Sequence, residues 1–192
     1  MNQSFFKRPL FWYGIYFGVA SIVYFILIYA INFEFFGRFL LFITIGFAIQ
    51  VTFMILGGIA ERKAAGGYLK YGKAMLSCLL IGLIGSLVSL IFSFIFVNYI
   101  DPEFLKNLSE VMKESVMNFM QSFGSINDED IDKALANMDK EFANAGTIVY
   151  YLKQFFLREL PWSLFFALIC AIFVKKNPPA EFVPTATPAP EN

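Results

Sequence analysis

Few residues in this chain have the type and spacing to do chemistry. It holds no histidine, which removes the commonest general base and metal ligand. Asp128, Asp130 and Asp132 alternate like the first ligands of a calcium loop. The sixth position is Lys133, where such a loop needs glycine, and the twelfth is Asp139, not a bidentate Glu. The same acids suit the first turn of a helix, and that is the better reading. Arg158 and Glu159 stand just before Pro161 at the edge of an apolar run. They could form a polar site near the membrane surface, but the plainer reading is snorkelling to the outer headgroups. Gly66-Gly67 lacks the spacing and the Lys-Ser/Thr of a phosphate loop; a turn touching anionic lipid fits better. Cys78 and Cys170 lie in apolar runs and read as small buried hydrophobes. No catalytic, metal or cofactor residue is assigned, and no cofactor is expected.

The elements that would position these residues are spans. Of 192 residues 58% are hydrophobic and 25 are phenylalanine, and the mean hydropathy is +0.62. That composition belongs to a membrane protein. Lys+Arg and Asp+Glu both total 15, so the net charge is zero and nucleic-acid binding gains no support. The charge-free run 9–31 is long enough to cross a hydrocarbon core and reads as an uncleaved signal anchor. Further spans are expected at about 39–60, with Gln50 near mid-depth, at 74–97 and at 155–175. The last is short in apolar residues, and Pro161 either kinks it or starts a fresh helix. Residues 1–8 form a polar start, and 177–192 a disordered Pro-rich tail.

The segment 98–154 reads as an amphipathic helical hairpin. Asp101-Pro102-Glu103 is a start signal, and Phe104, Leu108, Val111, Met112, Phe119 and Phe123 recur at helical spacing up to Gly124. A second helix is expected from Asn127, with Ile126 and Ile131 as a staple and an apolar face of Ile131, Leu135, Met138 and Phe142. Such a hairpin could pack on itself or lie on the outer leaflet.

Charge sets the orientation. Lys7 and Arg8, the hinge residues Arg62, Lys63, Lys70 and Lys73 around Gly66 and Gly67, and Lys175 and Lys176 share one side if there are four spans. The segment 98–159 carries six basic residues against eleven acidic ones, a net −5. Basic loops stay inside, so both termini are expected in the cytoplasm and the hairpin outside. Tyr68 and Tyr71 inside, and Tyr99, Tyr150 and Trp162 outside, fit aromatic belts.

Small residues line the spans: Gly14 and Gly18 in the first, then Cys78, Gly82, Ser86, Ser89 and Ser93 in the third, with Ser163, Ala167 and Cys170 in the fourth. Small residues let helices approach closely in lipid, so Gly14, Gly18, Gly82, Ser86 and Ser89 are expected at helix contacts. A serine-lined solute path is the alternative. It is disfavoured because a coupled transporter usually needs an ionisable group at depth, and the central spans hold none.

Gly66-Gly67-Tyr68-Leu69-Lys70-Tyr71-Gly72-Lys73-Ala74, followed by Tyr99-Ile100-Asp101-Pro102-Glu103-Phe104, resembles a family of small four-span membrane proteins of Gram-negative bacteria, classed as a domain of unknown function (the 4199 type). The resemblance covers about 10–176. It implies an inner-membrane location and supplies no activity or functional residue. The expected fold is all-α, four transmembrane helices with an extracytoplasmic helical hairpin between the third and fourth. The leading expectation is a non-enzymatic protein acting through association with itself or with another membrane protein, its surroundings being the lipid bilayer. The runner-up is an oligomeric small-solute or ion permeation unit; an intramembrane enzyme ranks third.

Overall fold

The computed structural model describes residues 5–122 and 128–177. Its helices are α1 (Pro9–Ile31), α2 (Phe39–Ala64), α3 (Tyr71–Ile95), α4 (Phe104–Ser122), α5 (Asp128–Asn144), α6 (Ile148–Gln154) and α7 (Leu160–Val174). Single π-helical turns prolong α3 (Phe96–Ile100) and join α6 to α7 (Phe155–Glu159). Four helical stretches are long and apolar enough to cross a membrane: Pro9–Ile31, Leu40–Ala64, Tyr71–Ile100 and Ile148–Val174. Helices α4 and α5 lie between the third and the fourth.

The first three spans are helical because lipid leaves backbone N–H and C=O groups no partner but each other. Large side chains such as Leu27, Leu40, Ile91 and Phe173 point outward. The interior instead collects Leu10, Met54, Cys78, Ile81, Ala167, Cys170, Ala171 and Val174. With apolar solvent outside, what sorts residues inward is how closely backbones can approach. Helix α1 runs along α3 at Gly14 and Gly18. A Cβ at Gly14 would lie 2.7 Å from Ile84 Cβ, and one at Gly18 would lie 2.6 Å from Val88 Cβ. Gly85 takes the ring of Phe17, and Gly58 takes Val174. The small-residue faces thus pack within one chain.

The fourth candidate span is Ile148–Val174, because α6, the π turn and α7 form one continuous stretch. Proline has no N–H to donate and its ring crowds the carbonyl one turn back. The π turn ahead of Leu160-Pro161 loosens that carbonyl register, so the helix passes through Pro161 without ending.

At one end of the bundle Phe25, Tyr29, Phe33, Phe36 and Phe96 enclose Phe104, the first residue of α4. Asp101 fixes the entry: its Oδ1 accepts from Glu103 N (3.1 Å) and its Oδ2 from the Tyr29 hydroxyl (2.9 Å). Gly37 sits against Val111 and Ser115, which lays α4 over the turn Phe33–Gly37. Helix α5 packs back on α4, with Lys113 and Asp139 paired between them. The hairpin is therefore seated on the bundle end. The staple residue Ile126, the start at Asn127, and Phe123 and Gly124 lie outside the described residues. The backbone at Asp128–Asp132 is the first turn of α5, where no calcium-type loop is formed.

Candidate functional site: a polar cluster inside the bundle

Gln50 stands twelve residues from Arg38 and twelve from Arg62, the charges that end its span. At about 1.5 Å per residue that is roughly 18 Å from either end, the middle of that candidate span. Its Nε2 donates to Ser163 Oγ at 3.0 Å, and both residues are buried. Ser163 therefore shares its level. Gly82 makes room for the pair, since a Cβ there would lie 3.1 Å from Ser163 Oγ and 3.3 Å from Gln50 Nε2.

Glu159 lies four residues before Ser163, about 6 Å nearer the hairpin end. In a core about 30 Å thick its Cα is roughly 9 Å beneath that face. Its carboxylate turns inward, and Ser86 Oγ donates to its Oε2 at 3.0 Å. This corrects the expectation that Glu159 reaches the outer headgroups. The π turn ends at Glu159, and its wider winding aims that side chain at α3. Arg158, the preceding residue, is exposed. One turn beyond Ser86, Ser89 Oγ is buried without a hydrogen-bond partner among the described residues. Trp162, half exposed, stacks on Phe166 and lies tilted against Phe47 beside this cluster.

Signal for Glu159 existed in the length of the last run. Leu160–Val174 has 15 residues, roughly 22 Å of helix, too short for a 30 Å core. Whatever completes that span must take Glu159 into the membrane. The partner Ser86 had no such signal.

The basic end is a second polar assembly. Glu61, in the last turns of α2, pairs with Arg8, whose Nε donates to its Oε1 at 2.9 Å. Its Oε2 also takes the N–H of Leu10 at 3.4 Å, an acid at the N-terminus of α1. Arg62 Nη1 donates to the carbonyl of Val174 at 2.9 Å, a cation at the C-terminus of α7. Adjacent residues of α2 thereby hold the ends of the first and last spans. The turn reverses at Gly66 and Gly67, both at positive φ (87° and 90°), a conformation that favours glycine. Beyond it Leu69 and Lys176 exchange backbone hydrogen bonds of 2.8 and 3.0 Å. Lys176 lies over the ring of Tyr68, and Lys175 over that of Tyr71. Lys63, Lys70 and Lys73 are exposed there.

Four apolar helices enclosing hydrogen-bonded polar side chains define a multi-pass membrane protein. The chain belongs to the family described as protein of unknown function (DUF4199), which matches residues 12–176. No curated protein and no solved structure matches it.

Proposed function

We propose that this protein is a non-enzymatic permeation unit for protons or small monovalent cations, assembled from several copies, with Glu159 as its intramembrane charge. The observation that carries the reading is the Glu159–Ser86 hydrogen bond inside an apolar bundle. An acidic residue deep in a membrane helix costs several kcal/mol to insert, about +2.5 to +3.5 on insertion scales for Asp at the centre. A group kept at that cost marks an ion or substrate route by default. A carboxylate held by a serine hydroxyl favours cations over anions, and Ser89 Oγ, one turn further along α3, offers lone pairs that no group uses among the described residues. The tight α1–α3 packing leaves little room within one copy, so a route between copies fits better. Association remains part of this reading, but not through Gly14, Gly18 or Gly82, whose faces are closed inside the chain. The basic residues support an inner-membrane orientation with both termini cytoplasmic.

The test is flux into liposomes, followed with an internal pH dye and with monovalent cation gradients. Wild type should exceed empty liposomes, and Glu159→Gln should lose about tenfold or more, a shift of roughly 1.4 kcal/mol in the barrier. Wild-type flux no greater than the empty control, or Glu159→Gln as fast as wild type, would sink the proposal.

A further inference from the structure

At the basic end a cleft of about 520 Å³ opens between the end of α2 and the start of α3. We infer that it holds one anionic phospholipid, its phosphate between Lys70 and Lys73 and an acyl chain along Leu76 and Leu80. The reasoning is independent of the permeation reading.

Charge comes first. The cleft is lined by Arg8, Lys70 and Lys73 against a single acid, Glu61. That acid is already bonded to Arg8 and to the Leu10 N–H. Among the described residues no carboxylate pairs with Lys70 or Lys73, and both are exposed. Lys70 begins α3 without a side-chain cap, so the free N–H groups of that first turn add positive character beside the two ammonium groups.

The order of residues along α3 then selects a lipid over a soluble anion. Lys73, Leu76 and Leu80 lie at i, i+3 and i+7 on one helix face and line the same cleft. Leu76 is half exposed. The face therefore passes from cations at the membrane edge to an aliphatic wall about 10 Å deeper. A free phosphate would use the charged rim alone. A phospholipid uses both, in that order, and juxtamembrane lysines attract anionic headgroups.

The full chain would be reconstituted in nanodiscs of phosphatidylglycerol and phosphatidylethanolamine in equal parts, released into mild detergent, and weighed by native mass spectrometry. Wild type should keep one phosphatidylglycerol per chain in preference to phosphatidylethanolamine. Lys70→Gln/Lys73→Gln should cut that preference by about tenfold or more, while excess inorganic phosphate should leave it unchanged. Lys106→Gln, exposed at the hairpin end, should behave as wild type. Equal retention of the two lipids, an undiminished preference in the double variant, an equal loss in Lys106→Gln, or displacement by inorganic phosphate would each overturn the assignment. Both cleft lysines are exposed, so the double variant should retain the wild-type helical circular dichroism.

Discussion

Glu159 and Gln50 show how side chains of similar polarity reach the interior by different routes. Gln50 is in the middle of an apolar helix and has no choice but a neighbour, which is Ser163 at 3.0 Å. A double-mutant cycle with Gln50→Leu and Ser163→Ala, read by detergent unfolding, should return a coupling of about 0.6 to 1.7 kcal/mol in favour of the pair. A coupling near zero would mean that the bond is worth no more than its alternatives in the unfolded membrane state. Glu159 could in principle have risen to the headgroups, and it stays because the π turn aims it at Ser86. Its depth was legible in the shortness of Leu160–Val174; its direction was not, since helical phase is lost across a turn of different winding.

Helices α1 and α3 show why small residues need a partner before they mean anything. Gly14 and Gly18 are a repeat that fits self-association as well as internal packing. Which one occurs depends on what stands opposite, here Ile84 and Val88 of the same chain. Gly14→Val should therefore destabilise the fold by about 1 to 3 kcal/mol through overpacking. Gly46→Ala, where a Cβ would meet nothing within 4 Å, should cost nothing. Measuring both by unfolding, alongside the oligomeric state, separates the cases: a Gly14→Val chain as stable as wild type but dissociated would place that face between copies. The hairpin was more legible. Phe104, Leu108 and Val111 follow a helical period and α4 forms over them, but the ring cluster that receives Phe104 draws on α1, the turn Phe33–Gly37 and the π turn after α3.

Across the molecule, basic residues gather at one end and the acidic hairpin occupies the other. With the basic end cytoplasmic, a single cysteine replacing Lys140, exposed on α5, should label with a membrane-impermeant maleimide in intact cells. Native Cys78 and Cys170 are buried and should stay silent. Labelling only after permeabilisation would reverse the orientation and place the basic cleft on the outer leaflet. What amino-acid order settles here is the number of spans, the hairpin between the last two and the separation of charge, because hydrophobic length, helical period and charge bias are local sums along the chain. Folding in three dimensions settles the rest. It brings Ser86 to Glu159 across 73 positions, Arg62 to the last carbonyl of α7, and Leu69 to Lys176. In lipid no hydrophobic gradient draws one helix face to another. Those meetings depend on which backbones can come close and which polar groups then find partners, and both are properties of pairs of helices.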